Sequence, residues 1–163
     1  TFATAFGFVP ILARQLNANN FQLSILTILA IIPAIIISRL AGDFLPRKIG
    51  RKRTISFGFI ISGLLCAVMP WIQSLFLLYI AQFVSGIGRS LVFPLLMGLG
   101  IEHIEQEKRA TAMGIFQASY GIGMVIGPIL LGFIAQSFGL VVGFAVTGLF
   151  GIIGLIITVT KVN

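Results

Sequence analysis

The stretch Gly42-Asp-Phe-Leu-Pro-Arg-Lys-Ile-Gly-Arg-Lys-Arg53 places Arg47, Lys48, Arg51, Lys52 and Arg53 within a few positions of one another, between two long apolar runs. Gly42, Pro46 and Gly50 punctuate it, so it reads as a bend rather than a helix interior. On a soluble protein such a basic cluster would point to nucleic acid. Its flanks decide otherwise. The 163 residues are 58% hydrophobic and 9% charged, with a mean hydropathy of +1.10. Soluble domains run near ~45–50% apolar and ~25% charged, and a chain this short cannot hide the excess from water. A soluble enzyme and a disordered chain are therefore excluded. The net charge of +7 reads as membrane topology, with lipid and not nucleic acid as the expected partner.

Working outward from that bend, the apolar runs divide on the scale of the ~20 residues that a helix needs to cross a bilayer. Six spans are expected, at about 2–16, 21–44, 54–69, 72–101, 109–136 and 140–160, forming a single transmembrane domain over 1–163. The first is short at ~1.5 Å per residue, and the chain opens inside an apolar stretch without Met, so truncation upstream is expected. No signal peptide is recognisable.

The connections alternate in charge. Arg47, Lys48, Arg51, Lys52, Arg53, Lys108, Arg109 and Lys161 fall on one side, and Arg14 alone lies near the other. The positive-inside rule then places the basic bends and both chain ends in the cytoplasm, in a multi-pass protein of the cell membrane. A faint internal repeat accompanies this: Gly7-Phe-Val-Pro10-Ile-Leu12 echoes Leu91-Val-Phe-Pro94-Leu-Leu96, and Pro33 echoes Pro128. Three spans invert orientation between the two groups, as in the three-plus-three inverted repeats of certain secondary transporters.

At the bend a family resemblance becomes specific. Gly50, Arg51 and Lys52, with Lys48 before them, resemble the end of the signature between the second and third helices of each half of the major facilitator superfamily. Arg47 stands where that signature has its acid, Asp43 lies four residues early, and the spacing from Gly42 to Gly50 is one residue longer. A second stretch, Gly114, Gly123, Gly127-Pro128 and Gly132, is similar to the fifth-helix antiporter motif, with Leu131 in place of its first paired glycine. Gln82 at the usual place of a fourth-helix arginine, and a sixth span without a Trp-Arg opening, favour the C-terminal half. The resemblance covers the whole chain. It implies an all-α membrane protein of six helices in a three-plus-three inverted repeat, half of a secondary transporter that moves a small solute by alternating access, with efflux or drug antiport as the first expectation. A nutrient or metabolite importer of the same family, a six-helix assembly subunit that transports nothing, and a channel are the alternatives. The partner would be the other six-helix half or a second copy.

The residues themselves carry a chemistry. Gly123 and Gly127, one turn apart, expose backbone to a neighbouring helix, and Pro128 removes a donor and can bend the span. Gly50, Arg51 and Lys52, with Asp43 as a displaced acid, are expected to form a gating bend that either latches helix ends or binds anionic headgroups. Simple topology determinants would look the same. Arg89 lies inside the fourth span, where a cation costs at least ~2.5 kcal/mol, and so marks a substrate cavity or else snorkels to the interface. Gln82, two turns earlier, and Gln117 and Tyr120 on the fifth span, with Met124, are further cavity candidates.

Asp43 lies at the end of a span and Glu102, Glu105 and Glu107 in a loop, with no acid deep in any span, so either a coupling acid is expected in sequence beyond these residues or transport is not proton-driven. His103 reads as solvated and Cys66 as a small buried hydrophobe. No nucleophile with its base, no metal-ligand cluster and no phosphate loop is recognisable, so no enzyme activity, cofactor or metal is expected.

Overall fold

A computed structural model describes residues 4–39 and 44–162. The described residues are helical throughout apart from short connections, and five helices are long and apolar enough to cross a membrane. Helix α1 is Val9–Gln15, entered through a π-helical turn at Thr4–Phe8. Pro10 stands at that join, where a residue without an amide donor widens the ladder of hydrogen bonds. The helix ends on Asn17 at φ 60°, with the Ala18 amide donating to the Ala13 carbonyl at 3.0 Å and the Asn17 amide to Arg14 at 3.0 Å. This left-handed stop tolerates asparagine better than most residues.

Helix α2, Asn20–Arg39, starts from a reciprocal cap. The Gln22 amide donates to Asn19 Oδ1 at 2.9 Å, and the Asn19 amide to Gln22 Oε1 at 2.8 Å. Beyond the bend, the short α3 (Leu45–Ile49) turns into α4 (Arg51–Val68) through Gly50, whose φ of 89° lets the chain change direction in one residue. Arg51, Lys52 and Arg53 are therefore the first turn of α4, although an apolar span starting at residue 54 was expected. Their helix propensity continues the ladder past the edge of the apolar run. A 3-10 turn at Met69–Trp71 leads to α5 (Leu75–Ile101), which starts later than residue 72 because Ile72 and Ser74 are extended. A second 3-10 turn at Gln106–Lys108 opens α6 (Arg109–Phe138), and Gly139, at φ 92°, alone joins it to α7 (Leu140–Lys161).

Helix α5 lies between α2 and α4, and α4 lies between α5 and α7; α6 rests on α7 and touches the second half of α5. The main core gathers Val9, Leu12, Leu26, Met69, Leu78 and Phe144, with Phe8 edge-on to Phe144 at 6.3 Å. A smaller cluster of Ile55, Val92 and Leu95 fills the basic end. Large apolar side chains such as Ile35, Phe76, Ile129 and Phe133 cover the outside. That is the arrangement of a chain whose surroundings are hydrocarbon.

Glycines set how close the helices come. A Cβ on Gly88 would stand 2.8 Å from the Gly58 carbonyl oxygen and 3.0 Å from the Ser62 amide, and one on Gly86 would stand 2.9 Å from the Ala30 carbonyl oxygen. Alternate sides of one turn of α5 are thus pressed against α4 and α2, and the residue that follows, Arg89, is held deep between them.

Candidate substrate site

Arg89 is only 6% exposed although its side chain carries a full charge. Its Nη1 donates a hydrogen bond of 2.8 Å to Ser85 Oγ, one turn back on α5. Gln82, 1% exposed, and Ser85 continue the same buried polar stripe at helical spacing. Beside the guanidinium opens a cavity of about 240 Å³ walled by Phe6, Ala30, Ile31, Phe93 and Pro94, with Ser90. One cation in an aromatic and aliphatic chamber suits a ligand with an apolar body and a single anionic or strongly accepting group.

Phe93 connects this chamber to α6. Its ring lies 4.9 Å from that of Tyr120 and 6.4 Å from that of Phe116. Arg89 and Tyr120 are thus brought into one neighbourhood through Phe93. Gln82 is buried two turns away on α5, and Gln117 is exposed on α6. Tyr120 also edges a larger groove of about 680 Å³ between α6 and α7, with Gly123, Met124, Gly127, Leu131 and Thr147. That groove holds no charged side chain, and its size reflects how loosely α6 is seated. Thr147 at its base is nonetheless fixed, accepting from Thr4 at 2.9 Å and donating to the Gly143 carbonyl at 3.0 Å.

The expected packing helix has an open face. Cβ atoms built on Gly114, Gly123 and Gly132 would meet nothing within 4 Å in this chain, while Pro128 sits inside an unbroken α6. The close backbone contacts belong to other glycines: Gly58 with Gly88, and Gly63 with Gly151, where the built Cβ lies 3.0 Å from the opposing Cα.

At the basic end Arg51 Nη1 donates to Glu102 Oε1 at 2.5 Å, tying the start of α4 to the end of α5. That hydrogen bond, with the guanidinium charge, holds the Glu102 carboxyl below the usual glutamate range. A cleft of about 280 Å³ lies beside the pair, with Pro94 and Leu95 on its floor and Arg109 on its rim. Gly50 supplies the turn before Arg51, and Lys52 faces a different groove, shared with Arg53. Asp43 lies outside the described residues. Glu102, Ser85 and Phe93 were not anticipated as site residues. Ser85 could have been found as the polar residue four positions before Arg89, whereas nothing local in the sequence links Arg51 to a partner fifty-one positions away.

These features define a multi-pass helical membrane protein with a buried charge beside an open, mainly apolar pocket. The sequence profile of the Major Facilitator Superfamily matches residues 1–162, and the chain belongs to that family of transporters. It is similar to an uncharacterised MFS-type transporter, YceJ, of Bacillus subtilis, at 31% identity over 108 residues, 64% of this chain and 27% of that protein. It is 24% identical over 130 residues to the probable chloroplastic anion transporter 3 of rice (Oryza sativa subsp. japonica), covering 78% of this chain and 25% of that one. The multi-drug resistance efflux pump PmrA of Streptococcus pneumoniae is 26% identical over 156 residues, 93% of this chain and 39% of the pump. The chain thus spans between a quarter and two fifths of the length of these curated relatives.

Proposed function

We propose that this chain is one six-helix half, the C-terminal one, of a secondary transporter that carries a small solute by alternating access, with its six spans over 1–163 arranged as two inverted groups of three. Arg89 holds the anionic or accepting group of the solute. Phe93 and Tyr120 stack against its apolar body, and Gln82 and Gln117 supply polar contacts as the chamber changes shape. The single observation behind this reading is the buried Arg89 guanidinium facing an apolar, aromatic-walled chamber, because a cation kept at such a depth is costly and is retained where it is used.

Helix α6 presents Gly114, Gly123, Gly127, Pro128 and Gly132 to the companion half, where small residues permit close, slidable packing. The bend with Asp43, Gly50, Arg51 and Lys52 acts at the cytoplasmic gate, Arg51 closing on Glu102 in the present arrangement. Outward transport at the cell membrane is the favoured direction, supported by the efflux pump that matches along most of the chain. An importer uses the same parts in reverse. Either the coupling acid lies outside these residues or transport is not proton-driven, since no Asp or Glu of the chain lies deep in a span.

The test is flux into proteoliposomes holding the full-length protein, screened with anionic, cationic and neutral amphipathic solutes and resolved for orientation. Arg89→Gln is expected to cut transport of the preferred solute at least about ten-fold, with Arg89→Lys keeping a measurable part. Wild-type flux in Arg89→Gln, with the protein folded, would refute the site. Flux in no class of solute would favour the assembly subunit.

A further inference from the structure

A second site lies on the outer surface of the bundle, away from Arg89. Lys52, Arg53 and Ser56 fall on one face of the first turns of α4, at spacings of three and four residues. With Phe57, Ile60 and Val159 of α7 they line a groove of about 420 Å³. Among the described residues neither cation is held in an ion pair: Glu102 takes Arg51, and Glu105 takes Lys108 at 2.6 Å.

The groove does not end at the cations. Ile60 also borders a second groove of about 390 Å³ between α4 and α7, wholly apolar, with Gly63, Ala67, Gly148 and Gly151 among its lining residues. These small residues let the two backbones come close, so the floor is main chain and the walls are Leu64 and Ile152, both exposed. From Lys52 to Ala67 the helix rises ~22 Å, more than one leaflet's half share of a ~30 Å hydrocarbon core. A basic mouth thus leads into an apolar channel open to the membrane, and the two together run at least the depth of a leaflet.

We propose that this continuous groove binds one anionic phospholipid, its phosphate held by Lys52, Arg53 and the Ser56 hydroxyl and one acyl chain lying along Ile60, Gly63 and Gly151. Both parts are needed to choose the occupant. A soluble phosphate satisfies the mouth and leaves the channel unexplained, and an acidic peptide carries backbone polar groups that hydrocarbon would penalise. The inference requires only that α4 and α7 span the membrane, and it holds whatever solute the protein carries.

The test uses full-length protein in detergent, titrated with phosphatidylglycerol or phosphatidylcholine and read by native mass spectrometry. One phosphatidylglycerol is expected to be retained in preference to phosphatidylcholine. Lys52→Gln with Arg53→Gln should lower its affinity about ten-fold or more, given the attraction of each cation for an anionic headgroup. Lys52→Arg with Arg53→Lys should restore binding, and Lys108→Gln should leave it unchanged. Ile60→Trp, which plugs the channel but keeps the cations, should also weaken it, while excess inorganic phosphate should not displace the lipid. Equal retention of the two lipids would overturn the proposal, as would an unchanged preference in the double glutamine variant with normal melting. Displacement by phosphate would reduce the site to a simple anion patch and overturn it too.

Discussion

Helices α5 and α6 are nearly equal in length, 27 and 30 residues, each with one internal proline, and both are apolar enough to span a membrane. Yet 56% of the α5 span is buried inside the protein and only 6% of the span that contains α6. Apolarity does not separate them, and in hydrocarbon it should not, because lipid tails solvate leucine as well as a neighbouring helix does. What differs is where the glycines point. Gly86 and Gly88 of α5 meet the backbones of α2 and α4, while Gly114, Gly121, Gly123 and Gly132 of α6 meet nothing within 4 Å. Close backbone approach, more than greasy character, decides which helix becomes the centre.

The strongest way to break this comparison is Gly88→Ala. The new methyl would stand 2.8 Å from a carbonyl oxygen and 3.0 Å from an amide, neither of which can swing aside, so α5 and α4 must part. A loss of about 1–3 kcal/mol is expected, as for other overpacked cores. It would be read as a lower melting temperature and earlier aggregation of the detergent-solubilised full-length protein. A variant as stable as wild type would mean that the glycine contact does not hold α5 in place.

Next in size is Ser85→Ala, which removes the hydroxyl that accepts from Arg89 at 2.8 Å. Buried hydrogen bonds to charged groups contribute ~1.5–3 kcal/mol, and helix relaxation should bring the net loss toward about 1 kcal/mol. Ser85→Thr should retain most of the stability. An unchanged melting curve in Ser85→Ala would show that the guanidinium is held by other means.

Gly123→Ala sharpens the comparison from the other side. Nothing in this chain meets the added methyl, so by itself the substitution should alter stability by no more than ~0.5 kcal/mol. The full-length protein turns this into a measurement of coverage: a clear loss of melting temperature or flux would reveal a tightly packed neighbour on the open face of α6, and no change in either would remove Gly123 from the proposed contact between halves.

The contrast between these helices was only partly legible in the amino-acid order. Apolar runs bounded by Asn17-Ala-Asn-Asn20, Pro70 and Gly139 report helix positions directly, since bilayer thickness and turn chemistry are local constraints. Arg89 was visible for the same reason, a charge in an apolar run being costly wherever the run sits. The pairing of Gly58 with Gly88, and of Gly63 with Gly151, was hidden because it depends on the mutual rotation of helices distant in sequence. Gly123, a conspicuous glycine of the sequence, drew attention to a position that meets nothing within 4 Å in this chain. Lys52 and Arg53 read as part of a loop because charge marks the edge of an apolar run, yet the helix begins inside the charge at Arg51.

The smallest expected effect concerns how the two helices are tethered at the basic end. Helix α5 is tied to α4 across the bundle by Arg51 and Glu102, whereas among the described residues Arg109 at the start of α6 donates locally, to the Ile104 carbonyl at 3.0 Å. The Arg51–Glu102 pair is exposed to solvent, and such pairs contribute little to stability. Its signature is therefore a pH dependence. The carboxyl is held below its ordinary range of about 4.3 by the Arg51 hydrogen bond, so the folded arrangement favours its charged form. The contribution is complete above the unfolded value and disappears as pH falls through the lower folded one. Melting temperature should decline slightly between about pH 5 and the acid limit in wild type, and Glu102→Gln should flatten that decline while matching wild type in acid. High salt should shrink the difference, because the screening length falls to ~3 Å at 1 M. Identical pH profiles for wild type and Glu102→Gln would show that the ion pair adds nothing at this end, leaving the packing of Val92 and Leu95 and the glycine contacts to distinguish the two helices.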